Sequence, residues 1–406
     1  MNLTGRMQHH SRETIIFFST ILAALIYNWI TYQAFYIPSP DGNLYISVAT
    51  NFIHNGHFIQ TARPYEVNFV VPPGLPLLLT LVLGLTYSIG TVIVLQYVLF
   101  GLTAVLLTRV SESIYSTPYN CFLIPILFLS GAFYVNAPNP GYVLTETYTI
   151  FLVSLSAFLF LNPTLPEAKK ITLLLPTLFC AYLIRPVVAG ALVVALVAAI
   201  YLVIRRRYPL KRLASLLLLF TAFMGGNLLV NHRETGYWIM LEDYGAIPAY
   251  QANNSNTKTY GYHSGLAEDF SDDYFMQVYF DNSLDSYQKN QLLKEKTGEF
   301  VKENSSFVLK NTIEKYKNLF LHNWNWNGPI LLLAFLLLTW KKYLRLVQTG
   351  LLLITFALLT IPPSMGLYIF RYSVICLPFY IVLNGTLYLV ISSALERQLK
   401  GVLSDE

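Results

Sequence analysis

Apolar residues in this chain come in blocks of about 20 separated by short polar stretches, the spacing expected of membrane-spanning helices. The blocks fall near 14–36, 89–109, 119–137, 142–161, 171–186, 187–204, 212–231, 328–340, 346–363 and 372–395. One further apolar stretch, 73–87, is about 15 residues, or roughly 22 Å as a helix, against a hydrocarbon core of ~30 Å. It reads as a short, tilted or re-entrant segment. The pattern therefore predicts an all-α polytopic membrane protein of ten crossings plus this piece, or eleven crossings if the piece spans.

Two polar stretches are too patterned to be plain connectors. In 37–72, Asp41 follows Pro38 and Pro40 and can cap a helix from Asn43 to His54. Leu44, Ile46, Val48, Phe52 and Ile53 are its apolar positions, and Asn43, Ser47, Thr50 and Asn51 its polar ones. Such a helix would lie in the headgroup plane and end at Gly56. The chain then passes Arg63 and Glu66 before the turn Pro72-Pro73-Gly74-Leu75-Pro76. The second stretch, 232–327, is rich in Tyr, Asn, Asp and Ser, and its part from Leu284 to Phe320 has a helical pattern. Trp324 and Trp326 just behind it are expected interface anchors. Three regions result: a membrane module 1–231 with its loop 37–72, an outer loop 232–327, and the C-terminal helices 328–406.

Composition agrees. The chain is 54% hydrophobic and only 12% charged, with mean hydropathy +0.48, which excludes a soluble globular domain. Membrane lipids are the expected surroundings, and nothing points to nucleic acid. Basic residues cluster at Lys169 and Lys170, at Arg205, Arg206, Arg207, Lys211 and Arg212, at Lys341, Lys342 and Arg345, and at Arg397 and Lys400. The positive-inside rule makes these cytoplasmic. Both termini then lie inside, and the 37–72 and 232–327 loops, Tyr142 to Glu146, Arg185 and Arg371 face outward. The apolar run behind the polar first 13 residues is too long for a signal peptide and reads as an uncleaved anchor in the cell membrane. Cys121, Cys180 and Cys376 fall in apolar blocks and read as core filler.

The outward face carries the candidate chemistry. Asp41 stands at the water-facing end of the first span, either as a helix cap or as a functional acid. Arg63, Arg185, Arg233 and Arg371 lie at a depth where an arginine meets an anion, snorkels to headgroups, or pairs with Glu66 or Glu146. Glu146, close behind Tyr142, is an acceptor-binding or supporting acid, or a helix-start carboxylate favoured by the macrodipole. His54 and His57 are close to Glu66 in sequence, but this spacing is a poor ligand set. No catalytic metal and no other cofactor is expected.

The order of "DGNLYISVATNFIHNGHF" after the first span, "PPGLPLLL", "YVLTETYTIFL", "LIRPVV" and "RYSVICLPFYIVL" resembles the GT-C fold of polytopic glycosyltransferases. It is most similar to the branch holding the protein O-mannosyltransferases and the lipid A aminoarabinose transferase. "NHRETGYWIM" and "EFVKENSSFVLKNTIEKY" resemble the outer loop of bacterial members. The resemblance implies a donor sugar on a polyprenyl phosphate and an acceptor that is a surface glycan, glycolipid or protein. It also implies inversion at the anomeric carbon, with Asp41 as catalytic base. The basic candidates, Arg185, Arg371, Arg63 and Arg233, would then hold the lipid phosphate, and Glu146, Glu66 and Tyr142 would serve the acceptor or support the base. One pair departs: where the aminoarabinose transferase has a Glu-Lys pair before the two prolines, this chain has Val70 and Val71. A polysaccharide polymerase, or a lipid-linked glycan flippase or other transporter, is the alternative. A transporter should show internal repeats, and none is evident.

Overall fold

The computed structural model describes residues 3–59, 70–135, 139–243, 245–254, 256, 272–321, 328–340, 346–365 and 376–404. The described chain is helical, with no strand among the described residues. From the amino terminus come α1 (Leu3–Tyr32), α2 (Pro40–Asn55), α3 (Gly74–Thr86), α4 (Ile89–Ile114), α5 (Asn120–Val135), α6 (Thr145–Leu161) and α7 (Glu167–Ile184). A 3-10 turn, Pro186–Val188, leads into α8 (Ala189–Ile204) and α9 (Leu210–Thr235). Then follow α10 (Ala246–Ala252), α11 (Asp273–Phe280), α12 (Ser286–Glu303) and α13 (Ser305–Leu321). The chain closes with α14 (Gly328–Trp340), α15 (Leu346–Met365) and α16 (Leu377–Ser404).

Among the described residues five stretches are long and apolar enough to cross a membrane: Ser11–Tyr32, Ile89–Ile114, Pro186–Ile204, Leu210–Thr235 and Leu377–Glu396. Helices α3, α5 and α6 are apolar but shorter. The protein is an all-α membrane protein, and its burial pattern shows why. In water an apolar helix hides its whole surface, whereas in a bilayer the outer face stays apolar because lipid is its solvent. Val193, Val197, Ile200 and Ile204 of α8 and Leu217, Leu218, Leu219 and Leu229 of α9 all point outward. Cys180 also faces outward, unlike the expectation of core filler, while Cys376 is buried.

Helix α4 is the hub, packed against α1, α3, α5, α6 and α16. Helix α16 is 61% buried over its apolar stretch and lies against α4, α5, α6 and α14. Polar groups tie these helices together, because an amide or hydroxyl cannot be left without a partner in an apolar interior. Ser111 of α4 bonds Thr386 of α16 at 2.8 Å and accepts from Asn120 of α5 at 2.9 Å. At the start of α1, Arg12 meets Glu112 at 3.2 Å and Arg109 meets Glu13 at 2.5 Å, which fixes α1 to the last turns of α4.

The segment between α9 and α14 has a core of its own, built from Ala246, Tyr250, Phe275, Val278 and Leu293. Its helices are closed by carboxylate caps. Asp272 accepts from Phe275 N–H and from the Tyr250 hydroxyl, and Asp285 makes a capping box with Gln288. The helical stretch expected from Leu284 to Phe320 is present but divided at Asn304 into α12 and α13.

Candidate functional site

Helix α2 begins earlier than its sequence pattern suggests. Ser39 is the cap: its Oγ accepts from Gly42 N–H at 3.0 Å. Pro40 takes the first helical position, for which its fixed φ is suited. Asp41 is therefore not a cap but a first-turn carboxylate, half-buried, at the end of the helix where the dipole favours negative charge. Gly56 ends the helix as expected, in the left-handed region at φ 72. The buried face differs from the expected one. It is made by Gly42, Tyr45, Val48, Ala49 and Asn51, while Phe52 is exposed. Asn51 is inside because it donates to Ile59 O at 2.9 Å.

The neighbour at the start of α2 is the strap before α6. Ile37 N–H donates to Gly141 O at 2.8 Å. A Cβ on Gly42 would stand 2.9 Å from Val143 O and 2.8 Å from Ser39 Oγ, so no larger residue fits without moving the strap or the cap. Three residues past Val143, Glu146 occupies the second position of α6, as Asp41 does in α2. Two helix N-termini, each with a carboxylate one residue inside, are joined by backbone contact.

Glu146 is completely buried, and it is paired. Arg185 Nη1 lies 2.8 Å from Glu146 Oε1, with the two side chains 12% and 0% exposed. Thr145 donates to Glu146 Oε2 at 3.2 Å. Arg185 is the residue at which α7 ends and the 3-10 turn begins, so the cation sits at the negative end of one helix and the anion at the positive end of another. The start of α3 is jammed against the same place. A Cβ on Gly74 would meet Ile184 N and Leu183 C at 2.7 Å.

Arg233 has other partners. Its Nε donates to Glu234 Oε1 at 3.0 Å and its Nη2 to Gly56 O at 3.2 Å. Glu234 also meets His57 Nδ1 at 2.7 Å. This group ties the end of α2 to the end of α9. A second joint lies a few residues on. Val70 N–H donates to Asp243 Oδ1 at 2.8 Å, Asp243 N–H returns a bond to Val70 O at 3.3 Å, and Ser286 Oγ donates to Asp243 Oδ2. Segment 232–243 thus holds the chain between α2 and α3 at Gly56 and His57 and again at Val70.

Burial pushes the Asp243 carboxyl up to about 6, against the opposing bonds from Ser286 and Val70. Its folded value exceeds its ordinary 3.8. The stability it contributes is therefore present in full below pH ~4 and lost as pH rises through about 6. Asp243→Asn keeps an oxygen for Val70 and turns an amide toward Ser286 Oγ, which can accept. The variant is expected to be more stable than the wild type at pH 7 by on the order of 1–3 kcal/mol, and to match it near pH 4. Thermal unfolding in detergent across this range is the measurement. A constant difference at all pH values would assign the effect to packing rather than ionisation.

Of the residues singled out in the sequence, Asp41, Tyr142, Glu146 and Arg185 are brought to one end of the bundle. Arg233 lies at the far end of α2, and Arg63, Glu66 and Arg371 lie outside the described residues, as do Trp324 and Trp326. Asp243, Ser286, Asn28 and Asn139 were not singled out. For Asn28 and Asn139 a signal existed, since an amide in or beside a long apolar run requires a partner. Among the described residues no group of three or more His, Cys, Asp or Glu side chains is placed to hold a metal ion. Comparison with family models, with characterised proteins and with solved structures finds no match to this chain.

Proposed function

We propose that the chain is an integral-membrane glycosyltransferase of GT-C type, moving a sugar from a polyprenyl-phosphate donor to an acceptor hydroxyl on the extracytoplasmic side. The observation that carries this reading is the union of two acid-bearing helix starts with a buried arginine, where the apolar bundle gives way to the polar outer segments. In this reading α1, α4 to α9 and α14 to α16 are the ten crossings, and α3, at 13 residues, is the short piece. Both termini are cytoplasmic.

The chemistry follows from what the reaction lacks in water. An acceptor hydroxyl is a poor nucleophile until its proton leaves, and Asp41 takes that proton as the oxygen bonds the anomeric carbon. The carbon–oxygen bond to the phosphate breaks on the opposite face, its electron pair staying with the lipid phosphate, and configuration inverts. Arg185 offsets the charge gathering on the leaving phosphate. Glu146 keeps that arginine in place before substrate arrives, so little reorganisation accompanies the reaction. Arg371 and Arg63 are further phosphate candidates, and Tyr142 and Glu66 serve the acceptor.

The test is direct. Purified protein in nanodiscs, given polyprenyl phosphate carrying a radiolabelled sugar and a crude envelope acceptor fraction, should release unlabelled polyprenyl phosphate and label the acceptor. Lipid that crosses the bilayer with its sugar still attached would instead identify a transporter. Transfer is also expected to survive exhaustive chelation. Val70 and Val71 are both buried, and Val70 offers only its backbone, to Asp243. Activity lost in chelator and restored by a divalent cation would overturn that expectation.

A further inference from the structure

The strap that joins the two acidic helix starts is held by a polar group inside the bundle. Asn28 of α1 and Asn139 are both fully buried and exchange reciprocal amide bonds. Asn28 Nδ2 donates to Asn139 Oδ1 at 2.8 Å, and Asn139 Nδ2 donates to Asn28 Oδ1 at 2.6 Å. Asn28 Nδ2 also donates to the Tyr97 hydroxyl at 2.6 Å, which donates to Phe35 O at 3.3 Å. Asn139 Oδ1 accepts from Gly141 N–H at 2.9 Å, and Gln96 Nε2 donates to Tyr142 O. Every one of these bonds ends on residues 35–37 or 139–142, or on a side chain that reaches them.

We propose that Asn28 and Asn139, with Tyr97 and Gln96, form a positioning clasp that sets where Glu146 stands relative to Asp41. The α1 and α4 side chains are the fixed members, since these helices are packed together along their length and joined by ion pairs at their far ends. The strap is the held member. It has no regular structure of its own, and its main-chain groups bond to the clasp and to Ile37. Neither amide is placed to meet substrate, so its effect on transfer runs through the two carboxylates. An asparagine pair suits this task. Each amide has one donor side and one acceptor side, so the reciprocal pair admits one relative orientation, which a hydroxyl or an apolar contact would not impose.

The reaction arm of this proposal rests on the proposed transferase reading, and the structural arm does not. Asn28→Ala and the milder Tyr97→Phe are compared with the wild type by amide hydrogen exchange and by steady-state transfer. The clasp predicts that the Ile37 and Gly141 amides exchange faster by about tenfold or more while amides in the middle of α4 and α6 keep their protection. It further predicts that kcat falls by about 10- to 100-fold with donor KM within about twofold, because misplacement of catalytic groups costs rate more than binding. If Asn28→Ala does not fold, Tyr97→Phe decides. Unchanged protection of both amides overturns the clasp, and so does faster exchange with unaltered kcat. If the wild type transfers no sugar, the proposed reaction is lost, while the exchange measurement still decides whether these residues hold the strap.

Discussion

Asp41→Asn is expected to lower sugar transfer by about 10²- to 10⁴-fold, the range for loss of a general base. The substitution separates chemistry from structure unusually well here, because Ser39 and not Asp41 caps α2. An amide has the size of the carboxylate, and the cap bond from Gly42 is untouched. The loss of negative charge in the first turn costs only about 0.3–1 kcal/mol. Folding and donor binding should therefore persist while turnover disappears. The check is kcat in nanodiscs at saturating donor, beside the melting temperature and donor affinity of the same preparation. Near wild-type turnover would remove Asp41 from the mechanism and leave it as a helix-dipole residue.

The second large effect concerns stability as much as rate. Arg185→Ala leaves Glu146 wholly buried without its 2.8 Å partner, and breaking such a pair from one side costs about 3–5 kcal/mol. Replacing both members is different. Glu146→Leu combined with Arg185→Met removes the desolvation penalty together with the attraction and is expected to recover most or all of the stability. Transfer should not recover, because the cation proposed to meet the lipid phosphate is gone. Melting temperature and kcat are measured on the single and double variants together. Recovery of both in the double variant would make the pair a structural element alone. Donor affinity unchanged in Arg185→Ala would separate the arginine from the phosphate.

The helices were legible in the sequence because the two signals that specify them are local. Blocks of apolar residues mark each of the five stretches long enough to cross a membrane, and Gly56 marks the end of α2. The pattern starts α2 three residues late because Pro40, ahead of the apolar positions, resembles the approach to a helix, although a proline at the first position fits it well. Its inner face departs from the pattern for a different reason. Hydrophobicity alone does not reveal that the space beside the strap admits no side chain at Gly42, which turns that face of the helix inward. The site was legible only in its parts. Asp41, Glu146 and Arg185 stood out because a charge beside apolar sequence is costly, but that cost does not name a partner. Glu146 and Arg185 lie on different helices, and their pairing was one of several open to each. Asp243 gave no signal, since an aspartate in a polar loop is ordinary until Val70 and Ser286 close over it.

The place of α16 in the bundle bears on how the protein is made. It packs against α4, α5 and α6, and its Thr386 bonds Ser111, 275 residues earlier in the chain. A ribosome delivers that partner late. Until then Ser111 lacks its partner on α16, while Asn120 is already held by Ser111, Tyr115 and Thr117. The early helices can insert one by one, but their final docking waits for the arrival of α16. For that interval the half-built bundle presents a hydroxyl without its cross-bundle partner, the kind of feature that intramembrane chaperones and quality-control proteases are suited to detect. Substitutions in α16 should then act first on yield and lifetime in the cell, and only afterwards on the activity of the molecules that escape.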